Sequence, residues 1–551
     1  MKERRLVSPL HSANAPSGDS APLHEILRRH ARRQPDRPAY LWYGAAIGYG
    51  ELDRASDAFA ARLAQLGVGK GEPVALFMQN CPQYVIAHYG IQKLGAIVCP
   101  CGPLNKEHEL QYQLDDLGAR VIVAAAPLLP VVDKVRPKTR LEHVFVVHYA
   151  DLLPEAPSID LPAELEQMRA GPRTVPDGAE DFLAVVRGGA RPPDAPVGGD
   201  DVALMTYTSG TTGLPKGAML SFDNALYKTA VSVDAYRVGS DDVMLAIAPL
   251  YHIAGMLMGV NMTVFAGATT VLLYRFEPKA VLQAIERHRV TWWYSIAPMN
   301  VAAMQVPGAQ DFDLTSLRMN PVTSFGITFT EALAGRWSGL APNCASFEAA
   351  YGLSETHTMD TAMPVDAIRW GTHGLPVAGN RVRIVDPDSG REMPTGEPGE
   401  ITISGRGVFK GYWNKPEATA KTLRDGWVHT GDMGRVDTDG YLTFMGRFKE
   451  MIKVSGYSVF PEEVEAILIR HPAIAQAGVI GVPDPDRGEA VKAFVVLEPG
   501  LAGADAPTEA EIVAWARENM AVYKAPRQVA FRDALPATGA GKMLRRLLKE
   551  D

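Results

Sequence analysis

Between Met205 and Gly217 the chain reads Met-Thr-Tyr-Thr-Ser-Gly-Thr-Thr-Gly-Leu-Pro-Lys-Gly, a run that gathers hydroxyls, glycines and one lysine. Thr208, Ser209, Thr211 and Thr212 supply hydroxyl donors, Gly210 and Gly213 leave backbone N–H groups uncovered, and Lys216 adds a point charge. That density of donors suits a polyphosphate, so the ligand to expect is a nucleoside triphosphate. The P-loop of kinases and ATPases is excluded. It requires Gly-Lys-Ser/Thr entering a helix, whereas here Pro215 precedes Lys216 and Gly217 follows it.

The flanking residues say how such a loop would be held. Val202, Leu204 and Thr206 alternate with Ala203, Met205 and Tyr207 in a strand-like run, and Gly217 to Ser221 is a second extended piece. A loop between two strands is rigid, unlike a Gly/Ser linker. Around it, from about residue 22 to 440, helical patterns alternate with short β-branched strands, as in Pro73–Met78 followed by a helix from Pro82 to Leu94. This predicts an α/β architecture with mainly parallel sheets. Glu397 to Gly405 turns to Gly-punctuated strands, and Asp437-Thr-Asp-Gly440 reads as a hairpin turn; a calcium loop fails there because Phe448 stands where the closing glutamate belongs. Beyond residue 450 a compact α+β unit follows, with a helix at Pro461–Leu468 stopped by His471-Pro472. Strands near Ala477–Val482 and Val491–Leu497 come next, then a capping box at Thr508-Glu-Ala-Glu511 opening a helix with Ile512, Trp515 and Ala516.

Composition narrows the partners. The 551 residues are 46% apolar and 21% charged with a formal charge of -8, and no basic block is present, which argues against nucleic acid. Cys81, Cys99, Cys101 and Cys344 lack the spacing of a zinc site or a disulfide framework and read as free thiols of a cytoplasmic protein. Residues 1–21 read as a disordered tail with no signal-peptide core. The apolar stretch from Ala248 to Tyr274 is interrupted by His252, Asn261 and three glycines, so a buried helix followed by the strand Thr269–Leu273 is expected rather than a membrane span. Peripheral contact with a membrane is compatible with the sequence, as is a homodimer.

Five motifs in order carry a resemblance: the loop at 205–217, Tyr351-Gly-Leu-Ser-Glu355, Thr430-Gly-Asp432, Gly446-Arg447 to Lys453, and Thr538-Gly-Ala-Gly-Lys542. The chain resembles the adenylate-forming superfamily, and within it the acyl-CoA synthetases. The resemblance implies a large N-terminal domain, residues 22–448, of two α/β sheets and a distorted β-barrel. It also implies a small mobile α+β domain, residues 449–551, hinged at Lys449. It implies a two-step reaction in which a carboxylate attacks the α-phosphate of ATP to give acyl-AMP and pyrophosphate, and the coenzyme A thiol then takes the acyl group. Lys542 would bridge carboxylate and α-phosphate oxygens, and Glu355 would hold Mg2+ with Thr208. Ser354 would lie near the α-phosphate and Tyr351 beside Gly352 on the adenine. Asp432 and Arg447 would hold the ribose, with Lys453 also in the cofactor site and Gly456 beside the pantetheine path. His252, in Pro249-Leu-Tyr-His-Ile-Ala-Gly255, matches the acyl-site motif, and the absence of a carboxylate there argues against amino-acid activation.

One departure stands out. Where relatives carry Gly-Gly-Ala-Pro, this chain has Ser324-Phe325-Gly326-Ile327-Thr328; Gly326 survives, but Phe325 and Ile327 are larger. Pro103-Leu-Asn-Lys-Glu107 and the small Ala254 and Gly255 resemble fatty-acyl members, so a medium- or long-chain fatty acid is expected. Aryl or branched acids are the alternative, favoured by Phe325 and Ile327. Transfer to a carrier protein, or a regulatory module that merely binds nucleotide, are the rivals from other classes.

Overall fold

Apolar β-branched runs such as Val121–Ala125, buried along their whole length, form strands covered on both faces, as parallel sheets require. The computed structural model describes residues 21–208, 214–325, 327–454, 457–484, 487–501, 506–538 and 543–549. One seven-stranded sheet runs in the order 180–181, 143–147, 121–125, 73–77, 97–101, 202–208, 216–221. Its neighbours are parallel until the last pair, where Val202–Thr208 and Lys216–Ser221 run antiparallel as the hairpin expected from the alternation. A second sheet of eight strands is built from residues 38–48 and 243–348 and is parallel except for the hairpin of Pro38–Trp42 with Ala45–Gly48.

The helix Pro82–Lys93 ties the two sheets together. Every residue in it is buried, and its tyrosines reach the chain of the second sheet: Tyr84 donates to Leu250 O at 2.9 Å and Tyr89 to Val260 O at 3.2 Å. Asn80, just before it, accepts from Leu250 N at 2.8 Å and donates to Ile247 O at 3.0 Å. Pairing of this kind offsets the cost of burying these polar groups. Residues 248–274 form a helix and then a strand, Thr269–Leu272, as expected, with a π-helical turn at Leu257–Asn261 that the sequence did not signal. No helix among the described residues is long and apolar enough to cross a membrane.

A five-stranded antiparallel sheet follows between Arg381 and Arg447, with the Asp437–Gly440 hairpin at its edge: the carboxylate of Asp437 accepts from Asp439 N and Tyr441 N. The last unit packs the helices Pro461–Leu468 and Glu509–Asn519 on another five-stranded sheet, whose central pair, Ile474–Asp484 with Gly488–Leu497, is longer than anticipated. Thr508 and Glu511 make the reciprocal cap. All four cysteines are free and buried, and burial pushes the thiols of Cys81 and Cys101 up to about 12.

His88 on the buried helix yields a first test. Among the described residues neither ring nitrogen has a hydrogen-bond partner, and burial, then the nearby His357, drives its pKa down to about 3. The unfolded chain takes up this proton near pH 6.5 while the folded one refuses it, so the stability is fully present above 6.5 and is lost as the pH falls towards 3. Urea unfolding of wild type and His88→Gln across pH 7.5 to 4 should show the wild type losing ground to the variant by about 1.4 kcal/mol per pH unit below 6.5.

Candidate active site

The phosphate hairpin is braced at both roots by one helix. Tyr207 donates to Asp116 Oδ2 at 2.8 Å, and Tyr112, one turn earlier on the helix Glu107–Leu117, donates to Pro215 O at 2.8 Å. Lys415 adds an ion pair to Asp116 at 2.7 Å. Thr208 and Lys216 are cross-strand partners at the loop's mouth. Ser209, Gly210, Thr211, Thr212 and Gly213 lie outside the described residues.

Lys216 leads directly to the acidic side of the site. Its ammonium stands 4.3 Å from the centre of the Tyr412 ring, and the Tyr412 hydroxyl donates to Glu355 Oε1 at 2.6 Å. Burial and then Glu355 itself raise the Tyr412 pKa, so the phenol stays a donor. Glu355, only 8% exposed, sits in the short helix Ser354–Thr356 with Ser354 beside it. Carboxylate and hydroxyl oxygens from Glu355 and Thr208 are hard ligands. No group of three His, Cys, Asp or Glu among the described residues could hold a metal by itself. As hard oxygen donors, Glu355 and Thr208 fit Mg2+ carried largely by phosphates and water. Tyr412→Phe, which keeps the ring under Lys216 but removes the bond to Glu355, should lower kcat/KM for ATP about tenfold, the size expected for a hydrogen bond to a charged group. Steady-state kinetics at saturating Mg2+ measures it.

Asp432 occupies the other wall. It is 3% exposed, accepts from the Tyr351 hydroxyl at 2.8 Å and pairs with Arg447 Nε at 3.0 Å across the antiparallel strands Trp427–Val436 and Leu442–Arg447. Tyr351 stacks on Phe444 with centroids 5.8 Å apart, so one ring face is already engaged within the protein. Gly352 is required by space: a Cβ there would lie 2.2 Å from Met359 N.

Positive charge gathers between these walls. Lys449, exposed just beyond Arg447, has its ammonium pKa held down by partial burial and then by the charges of Lys216 and Arg447. A lysine that feels two other cations favours an anion beside it. Lys453 is exposed on the strand Ile452–Val454, its backbone N–H on Glu489. Gly456 and Lys542 lie outside the described residues, as does Gly326.

His252 caps the helix Ile253–Met256, its Nδ1 accepting from Ala254 N at 3.3 Å. Phe325 and Ile327 are half-buried, and Ile327 packs against the cluster that contains Phe329, whose ring lies 6.2 Å from that of Trp370. Beneath them the Ser324 hydroxyl donates to buried Glu348 and accepts from Phe329 N at 2.8 Å. Burial, against the hydrogen bonds from Ser324, pushes the Glu348 carboxyl up to about 7. Tyr412, Asp116 and Glu348 escaped the sequence reading; for Tyr412 the only trace was a tyrosine in the Gly411–Trp413 turn.

A family model described as AMP-binding enzyme matches residues 27–413, and one described as AMP-binding enzyme C-terminal domain matches residues 463–542. The chain is 35% identical to a long-chain-fatty-acid–CoA ligase of Bacillus subtilis over 96% of its own length and 94% of that protein's. It is 37% identical to a feruloyl-CoA synthase of an Amycolatopsis species over 94% and 96%. The solved structure of the anthranilate CoA ligase AuaEII with anthranoyl-AMP superposes with a TM-score of 0.83 at 28% identity, covering 96% of this chain and 97% of the other. With a match over most of its length, the chain belongs to the AMP-binding enzyme family.

Proposed function

We propose that the protein joins a carboxylic acid to coenzyme A at the expense of ATP, through an acyl-adenylate, releasing AMP and pyrophosphate. The observation that carries this reading is the placement of Lys216 over Tyr412, whose hydroxyl bonds Glu355, together with Arg447 paired to the buried Asp432. A carboxylate can approach a polyphosphate only where positive charge offsets the repulsion of two anions. The hairpin and Lys216 hold the phosphates, Asp432 accepts from the ribose hydroxyls, and Glu355 with Thr208 holds Mg2+, which when bound neutralises phosphate charge. Lys542 meets the attacking carboxylate, and His252 stands beside it at the acyl end. The chain then turns about Lys449, which withdraws Lys542 and brings Gly456 to the thiol arm.

The acid in this reading is a medium- or long-chain fatty acid, as for the Bacillus relative. An aryl acid is the second reading, favoured by Ile327 against the Phe329–Trp370 pair and by the feruloyl-CoA relative. Buried free thiols suit a reducing, cytoplasmic setting. Acid-dependent exchange of pyrophosphate into ATP, run across straight-chain and aromatic acids, decides both points. The fatty-acyl reading expects kcat/KM to rise with chain length; a preference for cinnamate- or benzoate-like acids reverses the choice, and no exchange with any acid ends the ligase reading.

A further inference from the structure

The loop that carries Ser354 and Glu355 closes on itself. Tyr351 O accepts from Asp360 N at 2.7 Å and Thr361 N at 3.1 Å, and Tyr351 N donates to Thr361 Oγ1 at 3.0 Å. Between these ends the chain turns through His357, Thr358 and Met359, with φ of 59°, 56° and 49°. Residues with side chains seldom take this left-handed conformation even singly. Three in succession persist only where the surroundings hold them.

Lys228, from the helix Phe222–Ala235, does the holding. Its ammonium has three protons and finds three oxygens: Thr358 O at 2.8 Å, Met359 O at 3.1 Å and Asp360 Oδ1 at 2.7 Å. Neither side chain of the Lys228–Asp360 pair has any exposure. Asp360 also accepts from the Thr356 hydroxyl and from Asn380 Nδ2 at 2.8 Å, and Tyr227 donates to Asn380 Oδ1 at 3.1 Å. Burial drives the amine's pKa down and the carboxyl's up, and each group partly restores the other. The fit leaves no slack, because a Cβ on Gly407 would lie 2.1 Å from Lys228 Cε.

A dry ion pair is a poor stabiliser, since apolar residues of the same volume often serve as well. What this pair supplies is specific to the lysine: two of its three bonds go to carbonyls of the left-handed stretch, within four residues of Glu355. Resting on the ligase reading above, we propose that Lys228 and Asp360 are positioning residues that fix the loop Tyr351–Thr361 so that Glu355 and Ser354 face the magnesium-bound triphosphate.

The test uses the full-length protein as wild type, Lys228→Met and Lys228→Met/Asp360→Leu. Three measurements are made: thermal unfolding, calorimetric binding of Mg·ATP without acid, and amide hydrogen exchange. The single variant strands a buried carboxylate and should unfold at lower temperature, while the apolar pair recovers the midpoint. Both should bind Mg·ATP at least tenfold more weakly and exchange faster within residues 351–361 than elsewhere. Recovery of affinity together with the midpoint would mean the pair only supports the fold, and unchanged affinity and loop exchange in both variants likewise overturns the proposal. Should the apolar pair not fold, Asp360→Asn, which keeps shape and removes charge, is read by the same affinity and exchange criteria. Failure of the wild type to release pyrophosphate with any acid defeats the ligase reading alone, because Mg·ATP binding and loop exchange still decide this one.

Discussion

Lys542→Ala should lower acid-dependent pyrophosphate exchange by about a hundred- to a thousandfold, the cost of removing one charged donor from a developing transition state. It should leave thioester formation from premade acyl-AMP and coenzyme A within about threefold of wild type. The asymmetry follows from where charge is met. In the first step two anions are brought together and need a cation between them; in the second the adenylate is already made and the thiol attacks a neutral carbonyl. Arg545, three residues on, is held in the C-terminal unit by Glu465 in a bidentate pair at 2.9 and 2.8 Å and by Glu462 at 2.8 Å, with Glu450 also in contact. Glu450 follows Lys449 directly. Arg545 is thus tied to the residues next to the proposed hinge, and the C-terminal unit is expected to turn as one body. Single-turnover measurements of each half-reaction check this, and an equal loss in both steps counts against a domain that rotates.

The hairpin at 202–221 was legible because period-2 alternation and a Gly/Thr loop are local properties, and the strands appear where the pattern puts them. The capping box at Thr508 and the helix at Pro461–Leu468 were legible for the same reason. What holds the hairpin in place was not. Asp116 lies 91 residues from Tyr207, and nothing in a helix-forming stretch says which of its carboxylates will face a strand built later. Lys228 and Asp360 are 132 residues apart; each reads alone as an ordinary charged residue, and only the fold brings them together dry. Tyr351 was expected against adenine. One face of its ring stacks on Phe444, which belongs to none of the five motifs, and its hydroxyl bonds to Asp432, a contact between two motifs that their order along the chain does not state. The ordered motifs named the residues expected to meet the ligand, while Asp116 and Lys228, which hold the hairpin and the Glu355 loop, came from segments distant in sequence.

Asp432→Asn is expected to raise KM for ATP about 10- to 100-fold with a smaller change in kcat, since hydrogen bonds to a charged acceptor contribute about 1.5–3 kcal/mol and one tenfold step is about 1.4 kcal/mol. The substitution keeps the volume and one acceptor oxygen but loses the charge that pairs with Arg447 and orders Tyr351. Loss of binding alone would not separate a ribose contact from general disturbance of this wall. Comparing ATP with 2′-deoxy-ATP does, as a double-mutant cycle in which one of the two changes is made in the substrate. Wild type should favour ATP, and the preference should shrink by at least fivefold in Asp432→Asn, because the acceptor that reads the hydroxyl has been weakened. Tyr351→Phe provides the control: it frees one carboxylate oxygen without touching the charge, so it should retain the preference for the ribose while losing some stability. If Asp432→Asn discriminates between the two nucleotides as well as wild type does, Asp432 serves only to anchor Arg447 and Tyr351, and the ribose is held elsewhere.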